Sequence, residues 1–139
     1  MMDKSERHLV SMIMDTKLYL TIAAIIALLY TFAFLLIPEG MSMAFSGFVE
    51  PHATLNLRFL GGANLAWGLI LWFARDWDRH AVRGVLICSV AGLIVIIIIN
   101  IWGTMQGLLS SSAWGSTIVL ALLLLGALYS LATGPRRRA

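Results

Sequence analysis

The sequence predicts an all-α integral membrane protein: a four-helix up-and-down bundle with a short outer interfacial helix. Three observations carry that prediction. Of 139 residues, 60% are hydrophobic and 12% charged, whereas soluble domains average about 45–50% and about 25%, and the mean hydropathy is +0.88. Ten Lys and Arg and seven Asp and Glu cannot coat a water-soluble core of this apolarity. Four stretches close to the roughly 20 apolar residues needed to cross a bilayer follow one another. Basic residues gather in alternate connections between them.

The chain 1–139 reads as one transmembrane domain, with spans at about 18–37, 55–74, 85–102 and 112–132. The first is too long and too evenly apolar for a cleaved signal peptide, whose hydrophobic region is about 7–15 residues, so it is expected to remain as an anchor. The connections Pro38–Thr54, Arg75–Gly84 and Gly103–Ser111 are short enough for antiparallel neighbours. In the first of these, Met41, Ala44, Phe45 and Phe48 recur at i, i+3, i+4 and i+7 between the breaker Pro38-Glu39-Gly40 and Pro51. That spacing predicts a short helix on the outer membrane surface, with an irregular loop tucked over the bundle as the alternative. His8–Met14 could lie on the inner surface in the same way.

Charge sets the orientation, because short loops rich in Lys and Arg stay in the cytoplasm. Lys4, Arg7 and Lys17 precede the first span, Arg75, Arg79 and Arg83 lie between the second and third, and Arg136, Arg137 and Arg138 follow the fourth. Both termini are therefore expected to be cytoplasmic. Trp77 near one boundary, and Trp102 and Trp114 near the other, fit interfacial belts. The net charge of +3 is explained by these topology signals, so no nucleic-acid partner is expected.

Several chemistries are disfavoured by residue type. The single cysteine, Cys88, offers no redox pair or thiolate cluster. His8, His52 and His80 lie outside the longest apolar runs, so paired histidines for a buried haem are not available. Proton-coupled drug export needs a carboxylate within a span, and the acidic residues here lie outside the spans. His52-Ala53-Thr54-Leu55-Asn56 is a poor match to the alanine-histidine-x-asparagine element of membrane glutathione transferases. No catalytic residue and no metal site is predicted.

What remains is a set of small and polar positions within the spans. Arg58, Gly61, Gly62, Leu65, Gly68 and Leu69 fall on one helical face. Ser89, Gly92, Ile96, Asn100 and Gly103 form a second stripe, and Gly115, Val119, Leu122, Gly126, Tyr129 and Thr133 a third. Small residues let helices approach closely in lipid, so Gly61, Gly62, Gly68, Gly92 and Gly126 are expected to pack against the bundle axis or a partner subunit.

Arg58 is the costly residue, at about 2.5–3.5 kcal/mol for an arginine at the bilayer centre and less near an end. It must have a partner or reach water. Asn100 is expected at similar depth, and Glu39, Glu50, His52, Asn56 and Gln106 come from the same end of the bundle. An outer-leaflet polar pocket around Arg58, with Asn100, Asn64, Glu50 and His52, is therefore the candidate ligand site. A salt bridge from Arg58 to Glu50 or Glu39 that merely anchors the outer loop is the competing reading, and Asn64 can equally be an interhelical hydrogen-bond residue.

The Pro-Glu-Gly outer loop, the Arg58-Phe59-Leu60-Gly61-Gly62 entry to the second span, Gly68 and the Trp72-Phe73-Ala74-Arg75-Asp76 exit resemble those of the DoxX-like small four-helix bacterial membrane proteins. The likeness runs from about Leu18 to Ala132 and is strongest to a branch without an assigned function. It implies a bacterial-type inner membrane location and a role accessory to quinone-linked oxidoreductases. Arg58, Gly61 or Gly62, and Gly68 carry over as matching positions, and no catalytic residue does. The expected function is a non-enzymatic accessory or organising subunit, with the bilayer and a second copy or another membrane protein as partners. The alternative is a protein that binds a quinone, a lipid or another amphiphile.

Overall fold

The computed structural model describes residues 4–49 and 51–133, with side chains from Thr16 onward except that of Pro51. The described residues form five helices: α1 (Lys4–Leu36), α2 (Pro38–Ser46), α3 (Pro51–Ala74), α4 (Arg79–Met105) and α5 (Ala113–Thr133). Four of them, over Thr16–Leu36, His52–Ala74, Arg79–Met105 and Ala113–Thr133, are long and apolar enough to cross a membrane. The chain is a multi-pass helical membrane protein.

Local chemistry explains where each helix stops. Proline disfavours helical backbone in the residue before it, and Ile37, preceding Pro38, leaves the helix at φ −131° and ψ 51°. Pro38 then opens α2 at a position where its missing N–H costs nothing, and Glu39 places negative charge at the helix start. Gly47, at φ 79°, ends α2 by donating its N–H to the Met43 carbonyl. Asp78 caps α4: its Oδ1 accepts from the backbone N–H groups of His80 and Ala81 at 2.8 and 3.1 Å. Gly107, at φ 70°, closes the far end of α4 in a Schellman turn, in which Leu108 N–H reaches Gly103 O and Gly107 N–H reaches Thr104 O.

These boundaries revise the expected ones. Pro38-Glu39-Gly40 forms the first turn of α2 instead of breaking the chain ahead of it, and Phe48 lies beyond its end. The face that α2 buries carries Pro38 and Ser42. The Phe45 ring meets Phe34 of α1 at 6.2 Å between centroids. The 8–14 stretch continues α1 as backbone helix. At 33 residues, α1 is roughly 50 Å long by helical rise.

The helices pair as two hairpins. α1 lies along α3 and α4 lies along α5, while α3 and α4 touch only sparsely. At Gly61 a Cβ would stand 2.9 Å from Leu35 Cγ, and at Gly68 one would stand 3.2 Å from Leu28 Cγ. Glycine thus permits the close approach of α3 to α1. At the basic end, where Lys17 and Asp76 form an ion pair at 3.3 Å, the hairpins join around Leu20, Ala23, Ala24, Leu71, Ala74 and Leu86. At the opposite end α2 bridges them. Ser110 N–H donates to Phe45 O at 2.6 Å, and the hydroxyls of Ser110 and Ser112 both donate to Ala44 O.

Candidate functional site

Arg58 sits two turns into α3, and its Nη2 lies 3.9 Å from Glu39 Oε1 at the start of α2. The two side chains are 57% and 59% exposed, so this is a long surface pair, of the kind worth about 0–1 kcal/mol. It ties the outer helix to the second span, as the anchor reading expects. Glu50 lies outside the described residues. His52 is exposed on the first turn of α3.

The structure does not bring Asn100 to Arg58. Asn100 Nδ2 donates to Ser116 Oγ of α5 at 3.2 Å, because α4 takes α5 as its neighbour and leaves α3 aside. The pairing order separates the two residues, although both lie toward the α2 end of their helices.

The predicted stripes split in the same way. On α3, Gly61 and Gly68 are buried against α1, whereas Arg58, Gly62, Leu65 and Leu69 form an exposed arc. On α4, Ser89 and Gly103 are buried and Asn100 is half-buried, but Gly92 and Ile96 are exposed, and a Cβ at Gly92 would meet nothing within 4 Å. On α5 the stripe lies largely outside, with Leu122 and Tyr129 exposed; Ala113, Thr117, Ala127 and Ser130 are buried instead. Gly126 alone makes the expected tight contact, since a Cβ there would stand 2.7 Å from the Tyr19 ring. The bundle axis therefore takes Gly61, Gly68 and Gly126, while Gly62 and Gly92 face open space within this chain.

Of the inward polar groups, Ser89 belongs to the expected α4 stripe, whereas Thr31 and Thr117 were not singled out in the sequence. Thr31, Ser89 and Thr117 are buried, and each returns its hydroxyl to a backbone carbonyl one turn back, which satisfies a polar group inside an apolar layer. Their signal was alanine, serine and threonine at inward spacing, which lipid-facing segments also contain. Asn64 differs. It shares its helix face with Gly61, Gly68 and Leu71, all buried, and is itself half-buried. Its carboxamide has no hydrogen-bond partner among the described residues. Since no fully enclosed polar side-chain atom among them lacks a partner, that amide borders open space.

Register places these groups at one depth. Gly61 abuts Leu35 and Gly68 abuts Leu28, so Asn64 stands level with Thr31. The Gly126–Tyr19 contact and the Asn100–Ser116 hydrogen bond carry that level across to the other hairpin, where it falls within about one turn of Asn100, Ser116 and Thr117. These neutral polar groups lie at similar depth, Asn64 and Thr31 on the α1–α3 pair and Asn100, Ser116 and Thr117 on the α4–α5 pair.

The basic end is different in kind. Arg75 places its guanidinium carbon 3.6 Å from the Trp72 ring centroid and donates from Nε to the Trp72 carbonyl at 2.7 Å, an arrangement suited to a membrane boundary. The backbone N–H groups of Ala81 and His80 donate to Asp78 and hold its carboxyl below the usual value. No known family model, curated protein or solved structure matches the chain.

Proposed function

We propose that the chain is a non-enzymatic subunit of a larger membrane complex, either an accessory or an organiser, placed in a bacterial-type inner membrane with both termini cytoplasmic. One observation carries this reading: Gly62 and Gly92 lie on exposed arcs of α3 and α4, with open space where a Cβ would stand. Glycine in a helix costs about 1 kcal/mol relative to alanine, and in lipid its use is to admit a neighbouring helix. The helices of this chain do not use these two positions, and a partner would. The resemblance to the DoxX-like group supplies the kind of complex, one linked to quinone-dependent oxidoreduction. The competing reading, an anionic ligand held by Arg58, is weakened by the Glu39 ion pair and by the outward position of the arginine.

The test is Gly92→Leu, alone and with Gly62→Leu, followed by native mass spectrometry and native gels from a mild detergent extract. A wild-type assembly that falls to an inserted monomer in the variants supports the proposal, because a Cβ at either position meets no described atom within 4 Å. A wild type that is monomeric and brings no partner with it overturns the proposal.

A further inference from the structure

We propose that Arg75, at the basic end of α3, is the head-group contact of an anionic phospholipid, and that its guanidinium takes the lipid phosphate. This inference rests neither on the subunit reading nor on which side of the membrane the basic end faces. Arg75 directly follows Ala74, the last residue of α3 and of its membrane-spanning stretch, and Lys17 lies next to Thr16, where the stretch on α1 begins. Both therefore sit at a span end, the level at which lipid head groups lie. Direct contacts join the group into one site. The Arg75 guanidinium carbon stands 3.6 Å from the Trp72 ring centroid, Nε donates to the Trp72 carbonyl at 2.7 Å, and Nη1 reaches Thr21 Oγ1 of α1 at 3.5 Å. Thr21 in turn donates to the Lys17 carbonyl, and Lys17 Nζ pairs with Asp76 at 3.3 Å.

The half-buried guanidinium is held in place but not neutralised. The Trp72 ring covers one of its faces and Nε is committed, which fixes the direction of the fork formed by the two Nη groups. Nη2 has no partner among the described residues, and since no enclosed polar side-chain atom among them lacks one, Nη2 opens outward. Among the described side chains no carboxylate pairs with Arg75: Asp76 is taken by Lys17, and Asp78 is turned to the start of α4. The charges of Lys17 and Asp76 cancel, and that of Arg75 is left over. A lipid whose head carries only the phosphate charge, as phosphatidylglycerol does, neutralises it, whereas a zwitterionic head brings no net charge to match. The arginine fork suits phosphate oxygens because it can donate to two of them at once. Trp72 itself remains exposed and offers the glycerol region an amphipathic ring to rest on.

The experiment titrates detergent-solubilised full-length protein with dioleoyl phosphatidylglycerol and, separately, with dioleoyl phosphatidylcholine, and reads bound lipid by native mass spectrometry. The two probes share their chains and their phosphate and differ in net charge. The wild type should prefer phosphatidylglycerol, and Arg75→Ala should weaken that binding by about tenfold, the worth of one hydrogen bond to a charged group. Arg75→Lys, which keeps the charge and loses the fork, should weaken it as well. Arg79→Ala, which removes an exposed charge from the same end, should change it by less than about twofold. Inorganic phosphate at the same concentration should leave the lipid bound. Equal binding of the two lipids by the wild type overturns the inference without any variant. Undiminished phosphatidylglycerol binding in a folded Arg75→Ala or Arg75→Lys protein overturns it too, as does an equal loss in Arg79→Ala, the mark of a diffuse field. Displacement by inorganic phosphate would overturn the lipid as the source of the anion.

Discussion

The two ends of the bundle are closed by different forces. At the basic end, side chains from all four spans meet: Leu20, Ala23, Leu71 and Leu86 form an apolar core, with Tyr19 and Leu131 packed against it. At the α2 end the hairpins are tied through a strap, in which Ser110 and Ser112 bond the carbonyls of Ala44 and Phe45. Core packing sets how close helices lie over several turns, whereas a strap fixes only its points of attachment. The basic end is therefore dense, and the α2 end is held chiefly at the points where its strap attaches. In lipid the core gains little from apolar burial, since the surrounding chains are apolar too, and its strength lies in shape complementarity.

Breaking that complementarity should have the largest effect. Gly126→Val places side-chain atoms where the Tyr19 ring stands, 2.7 Å from the Cβ position, and overpacking of this kind costs about 1–3 kcal/mol. The detergent melting midpoint should fall, and tryptophan fluorescence should report a changed environment for Trp67, which packs against the same core. An unchanged midpoint would mean that Tyr19 turns aside freely and that the basic end is not the tighter clamp.

Loosening the strap should do less and act elsewhere. Replacing both Ser110 and Ser112 with alanine removes the two hydroxyl bonds to Ala44 O, a loss of about 1 kcal/mol or somewhat more. Amide exchange should speed up at Ser110, whose N–H is held by Phe45 O, while amides around Leu71 and Leu86 keep their protection. Faster exchange at both ends would show that the two closures form one cooperative unit.

The smallest effect sharpens the comparison through pH. Hydrogen bonds from Ala81 and His80 lower the Asp78 pKa on folding, so its carboxylate stabilises the start of α4 above the unfolded carboxylate range of about 4. That contribution is lost as pH falls through the lower folded value. Asp78→Asn keeps a capping oxygen and should flatten this acid step in the melting midpoint, whereas Asp78→Ala should lower the midpoint at neutral pH as well. An acid step that persists unchanged in Asp78→Asn would assign it to another group.

Much of this architecture was legible because it depends on neighbouring residues. Span positions follow from the length of apolar runs. The outer helix follows from Met41, Ala44 and Phe45 repeating at helical spacing, although Pro38 serves as its first residue and not as a breaker ahead of it. Asn64 and Asn100 stood out as amides inside apolar segments. The expected meeting of Arg58 with Asn100 fails, because it needs α3 and α4 to be neighbours along their length, and α4 pairs with α5 instead.

The sequence by itself determined the number of spans and the asymmetric placing of charge. Tertiary structure alone decided that α1 pairs with α3 and α4 with α5, and hence which faces turn inward. The reason is the solvent. In water an apolar stripe marks the buried side of a helix, but in lipid both sides are apolar, and inward faces are chosen by fine differences in shape among glycine, alanine, serine and threonine. Gly61 and Gly62 are adjacent in sequence and identical in chemistry, yet one is pressed against Leu35 and the other faces open space. Only the position of the neighbouring helix distinguishes them.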